Sequence, residues 1–142
     1  MIKEVHAFYI ENVPGIIQAD ENGNPLPYKI DTVIVVYVET TSKEITWDSA
    51  WNHTKQYKII SQQIDTRNYE AGFIKGTTEK VFITAAPDHL LYQLQLQPTE
   101  NKKLLNKDQI EIQELILRGK YKNKFFFQKA GKIRELEANP PV

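Results

Sequence analysis

The side chains of this 142-residue chain that could do chemistry are few and scattered. Three histidines, His6, His53 and His89, stand singly, and no two have the spacing that puts a pair of metal ligands on one strand or helix face. Asp48 and Asp88 each lie within five residues of a histidine, but an acid–base pair is defined by contact in space, which sequence adjacency does not supply. Asp20-Glu21-Asn22-Gly23-Asn24 alternates oxygen ligands as a calcium loop does. Pro25 stands where such a loop needs glycine, and Asp31, one carbon shorter than the required glutamate, stands at its twelfth position, so a plain turn is expected. The absence of cysteine excludes disulfides, thiolate nucleophiles and cysteine-based zinc or iron–sulfur centres. No glycine-rich phosphate loop and no nucleophile elbow is present. No catalytic residue, metal ligand or cofactor is therefore assigned, and the acceptor tripeptide Asn52-His53-Thr54 carries no functional weight.

Aromatic and cationic side chains offer binding chemistry instead. Ile45-Thr46-Trp47-Asp48-Ser49-Ala50-Trp51 alternates as a strand, with Ile45, Trp47 and Trp51 on one face and the two tryptophans about 13 Å apart. With a loop at His53-Thr54-Lys55, Trp51 would face Tyr57 and Ser49 would face Ile59. The row Trp47, Trp51 and Tyr57 has two uses: a wall of the core, or an exposed ligand-binding surface stacking on sugar rings or a partner's side chains. Ile45 and Ile59 on the same face favour the core, because exposing them all would leave a large apolar patch. A second candidate is Arg118-Gly119-Lys120-Tyr121-Lys122-Asn123-Lys124-Phe125, where four cations alternate with other residues, two of them aromatic. Such a run can meet phosphates and stack on bases, but a solvated turn between strands is its commoner use.

The elements that must position these residues are organised around Ile30–Thr40, the densest run of β-branched and aromatic residues. Ile34, Val36 and Val38 fall on one face and Val33, Val35 and Tyr37 on the other, so both faces need cover and the strand is predicted to be central. Further strands are expected over Lys3–Val13, Gln56–Gln63, Tyr69–Ile74, Glu79–Ala85 and Leu90–Gln97, the last with Tyr92, Leu94 and Leu96 alternating against glutamines. Gln109–Tyr121 slips in phase, which a bulge near Glu114 or burial of both faces would explain. Lys124–Lys129 and Lys132–Glu137 flank Ala130-Gly131, which reads as a tight hairpin turn. Pro98–Asp108 reads as a long polar loop or helical turn.

About nine short strands and no amphipathic helix of ten or more residues predict an all-β fold, an antiparallel β-sandwich, immunoglobulin-like or related. One domain over residues 1–138 with a proline-rich tail at 139–142 fits the length. Lysine plus arginine and aspartate plus glutamate both number 18, so no net field selects nucleic acid, and the neutral strand Tyr92–Gln97 points to protein or glycan partners. The charged last hairpin reads as edge protection, hence a monomer. No apolar run is long enough to span a membrane and no signal peptide opens the chain, which leaves the compartment open. The expected function is a non-catalytic binding or structural interaction module. The alternative is a small hydrolase or lyase on a β scaffold, its site assembled from distant residues.

Overall fold

The computed structural model describes residues 1–12, 16–27, 31–42, 44–52, 55–99 and 114–138. His53, the 100–113 stretch that includes Ile110 and Ile112, and the 139–142 tail lie outside them. The described residues form β1 (Ile2–Asn12), β2 (Asp31–Thr40), β3 (Thr46–Asn52), β4 (Lys55–Ile64), β5 (Asn68–Phe73), β6 (Lys80–Thr84), β7 (Leu90–Pro98), β8 (Leu115–Tyr121), β9 (Lys124–Lys129) and β10 (Ile133–Glu135). The fold is all-β, and no described segment is helical.

Eight strands make one sheet in the order β10-β1-β2-β7-β4-β3-β8-β9, while β5 and β6 form a separate two-stranded hairpin. The arrangement differs from two comparable antiparallel sheets. The large sheet is mixed, because β10 runs parallel to β1 with Ala7 opposite Ile133 and Tyr9 opposite Glu135. Ala130-Gly131 is accordingly no hairpin turn: it lies in the three-residue passage from one edge of the sheet to the other. Four Cα–Cα steps reach at most about 15 Å, whereas the edges of a flat eight-stranded sheet stand about 34 Å apart. The sheet therefore has to curl. Gly131 supplies a left-handed corner in the passage (φ +76°), and the Ala130 N–H donates to the Leu115 carbonyl at 2.9 Å.

Curling lets the inner face fill itself. Val36, Val38, Leu94, Leu96, Leu115 and Leu117 meet Trp47, Tyr57 and Ile59 in one core, with Ile133 from one edge and Phe126 from the other packed against it. As its composition predicted, β2 is covered on both faces: Ile34, Val36 and Val38 enter this inner core, while Val35 and Tyr37 enter a second one outside. That outer core lies under the β5–β6 hairpin and contains Phe8, Val81, Ile83, Leu91 and Leu136. Tyr37 packs against Tyr69 with the two rings tilted, and burial together with that neighbour pushes its hydroxyl well above the usual phenol range. The end of the described chain ties hairpin to sheet. The Leu136 N–H donates to the Tyr9 carbonyl, the Lys75 N–H to the Glu135 carbonyl and the Glu137 N–H to the Phe73 carbonyl. The Glu135 carboxylate accepts from Tyr9 (3.1 Å) and pairs with Lys75 (2.8 Å); Lys75 is the main cause that holds it below the usual carboxylate range.

Gly119 marks the tightest inner contact. A Cβ there would lie 2.6 Å from Phe126 Cζ and 3.2 Å from Trp47 Cε3, and those two rings pack edge to face against each other. Gly119→Ala is expected to cost about 1–3 kcal/mol by overpacking, measured as a lower urea midpoint at unchanged slope. An unchanged midpoint would mean that the rings have room to move.

Candidate functional site: an aromatic and cationic sheet face

The hairpin β5–β6 packs over β1, β2, the start of β7 and the end of β4 at Ile64, and leaves the outer face of β3, β8, β9 and the rest of β4 without a strand layer among the described residues. The side chains on this half follow from register. Ser49 pairs with both Lys58 and Arg118, Trp51 with Gln56 and Ile116, and Arg118 and Lys120 with Phe127 and Phe125. Each set shares the outer face because cross-strand neighbours point the same way.

One irregularity builds the centre. The pairing of β3 with β8 shifts between Trp47 and Ser49, so Asp48 is an extra residue. The shift turns Trp47 inward, opposite Gly119, and Trp51 outward, opposite Ile116. The Asp48 carboxylate meets Arg118, which donates from Nε (2.9 Å) and Nη2 (3.0 Å) in a bidentate pair. The fixed guanidinium lies over Trp51 on one side (5.5 Å) and over Phe125 on the other (4.8 Å), and the Lys120 ammonium stands 5.3 Å from the same Phe125 ring. Phe127 leans on Trp51 at 6.1 Å. Trp51 is only 5% exposed, but Phe125 and Phe127 are 57% and 54% exposed. An open concavity of about 440 Å³ beside the ladder is lined by Glu44, Thr46, Lys120, Lys122 and Asn123.

The predicted aromatic row does not form. Trp47 and Tyr57 lie in the inner core, 7% and 6% exposed, and Trp51 lies on the opposite face. The bulge at Asp48 breaks the alternation that would have aligned the tryptophans. The hairpin is also one residue tighter than expected: Asn52 pairs with Lys55, which sets Tyr57 opposite Ala50 instead of Trp51. The basic run 118–125 does contain the expected turn, at Lys122-Asn123, where both residues are left-handed (φ 49° and 64°) and join β8 to β9. The Asp20–Asn24 stretch is a turn in which Asp20 Oδ1 accepts from the Asn22 and Asn24 N–H groups. Sequence reasoning missed Phe125 and Phe127 as an exposed pair, though their i,i+2 spacing beside alternating lysines was the signal.

A second cluster holds His6 and His89. Glu39, the one buried charged side chain among the described residues, accepts from the Ala86 N–H (3.0 Å) and from His89 Nδ1, which fastens the β6–β7 loop to β2. His6 binds Glu4 at 3.0 Å on the neighbouring strand. No three His, Asp or Glu side chains among the described residues are grouped to hold a metal ion. Burial pushes the Glu39 carboxyl upward, but the bonds from Ala86 and His89 and the nearby imidazoles outweigh it and hold the group below its usual value.

Compared with known proteins, the chain matches no family model, no curated protein and no solved structure, so function is read from this geometry alone.

A carboxyl whose folded value is depressed stabilises the fold fully above the unfolded carboxylate range, and that contribution is lost as pH falls through the folded value. Glu39→Gln should therefore cost about 1–2 kcal/mol at neutral pH, with the gap to wild type closing as pH falls below the usual carboxylate range. Urea unfolding of both proteins across that range checks it; a gap independent of pH would show that the charge of Glu39 contributes nothing.

Proposed function

We propose that the protein is a non-catalytic binding module that contacts a protein or glycan partner through the outer face of β3, β8 and β9. The observation that carries this reading is the pair Phe125 and Phe127, more than half exposed on a face where Arg118 is locked in place by Asp48 and two rings. Fixing a long cationic side chain costs rotamer entropy, and keeping two large rings in water forgoes their burial. Both costs are offset when a partner covers the face, since a pre-ordered aromatic and arginine cluster is what binding hot spots are made of. The curled all-β sheet with its covering hairpin serves as a rigid support for this face, and an all-β fold by itself fixes no function.

The enzymatic alternative has one specific observation behind it, the part-buried Glu39–His89 pair. Its geometry favours a fastening role, because the same Glu39 oxygen also accepts the backbone N–H of Ala86, an arrangement that ties down a loop. Hydrolytic or lyase turnover that His89→Ala abolishes in a still-folded protein would replace the binding reading.

The binding reading is tested by mapping small fragments on the wild type and on a Phe125→Ser, Phe127→Ser variant by amide chemical shifts. Apolar, acidic and sugar fragments are expected to perturb β3, β8 and β9 in the wild type only, while each substitution costs under about 1 kcal/mol of stability. Shifts clustered elsewhere, or a stability loss of several kcal/mol, would mean that the two rings serve the fold.

A further inference from the structure

The two edges of the large sheet are treated differently. The end of β10 is engaged by the hairpin: the Lys75 N–H donates to the Glu135 carbonyl, and just past the strand the Glu137 N–H donates to the Phe73 carbonyl. The far side of β9 has no strand partner among the described residues, although β9 carries three consecutive phenylalanines. Phe126 faces inward against Trp47, and Phe125 and Phe127 face outward about 7 Å apart along the strand. Such an edge is a template for one more strand.

Charge selects the strand. Over Leu115–Lys129 the chain has five cations, Arg118, Lys120, Lys122, Lys124 and Lys129, and no aspartate or glutamate. Arg118 is paired with Asp48 and Lys129 with Glu114, whereas Lys120, Lys122 and Lys124, and Lys58 on the same sheet, have no carboxylate partner among the described residues. The hairpin that forms the open edge of this neutral molecule thus carries three of these lysines, Lys120 on β8, Lys122 in the turn and Lys124 on β9. A second copy of the chain pairing through β9 would bring no carboxylate to these lysines, since Lys124–Lys129 contains none. Single-stranded nucleic acid would find two or three phosphate contacts, each adding a salt-dependence slope of only about −0.7 and little affinity at physiological ionic strength.

Resting on the binding reading of this face, we infer that its partner is an extended, acidic protein segment that adds as a strand along β9. Its backbone would bond to the open edge. Its outward carboxylates and apolar side chains would lie beside the lysines and beside Phe125 and Phe127.

The test uses the whole chain and three probes at about 0.15 M salt: a fluorescein-labelled octapeptide Glu-Thr-Phe-Thr-Glu-Thr-Phe-Thr, whose Glu and Phe side chains share one strand face, a single-stranded thymidine octanucleotide, and a heparin octasaccharide. The peptide is expected to bind saturably with Kd below about 1 mM and to slow hydrogen exchange of β9 amides; Lys120→Glu and Phe125→Ala should each weaken it about tenfold or more. Saturable binding of the oligonucleotide or heparin without the peptide overturns the inference and leaves the face as the site. Peptide binding that leaves β9 exchange unchanged overturns strand addition. If no probe binds, the partner assignment falls, and the fragment map then decides separately whether the face binds anything.

Discussion

Three residues, Ala130 to Lys132, lie between the two edge strands of an eight-stranded sheet, and the rest of the architecture follows from that short passage. A connection of that reach allows only a sheet whose edges come close together. The inner face then closes on itself and needs no second sheet to cover it, so residues from both edges, Ile133 and Phe126, reach the same core. Because β10 enters beside β1 in parallel, the following Leu136 can drop into the outer core and its neighbours can bond to the β5 end of the covering hairpin. One edge is thereby sealed by the chain's own continuation, and β9 is left as the free one.

Within this frame a single inserted residue decides the chemistry of the outer face. Without the bulge at Asp48 both tryptophans would point the same way. With it, one ring fills the core and the other becomes the floor on which Arg118 lies. The bidentate pair is about a third exposed, so its worth in stability is modest, about 1 kcal/mol or less. Its greater consequence is order: it holds a cation between two rings and so fixes the surface that Phe125 presents.

How much of this was legible can be argued from particular residues. The doubly covered strand β2 was legible because its two faces are both apolar, and period-2 alternation reads that directly. The alternation at Tyr92, Leu94 and Leu96 likewise gave β7. Leu115 and Ile116 entering opposite cores accords with burial of both faces along β8. The bulge was not legible, since Trp47-Asp48-Ser49-Ala50-Trp51 contains no glycine or proline to mark it, and its cause is the match to β8, a strand about seventy residues away. The parallel entry of β10 was hidden for a similar reason: Ala130-Gly131 is good hairpin chemistry locally, and only the engagement of Leu136 and Glu135 with β1 and β5 decides against a hairpin. The Glu39–His89 pair joins residues fifty apart and had no local signature at all.

The account stands on where β10 goes, and solution NMR measures that directly. Cross-strand backbone contacts in the parallel pattern are predicted from Ala7 to Ile133 and from Tyr9 to Glu135, with a slowly exchanging Leu136 amide bonded to the Tyr9 carbonyl. An antiparallel pattern between β9 and β10, with Lys129 facing Lys132 across a turn at Ala130-Gly131, would contradict the curled sheet and with it the open β9 edge.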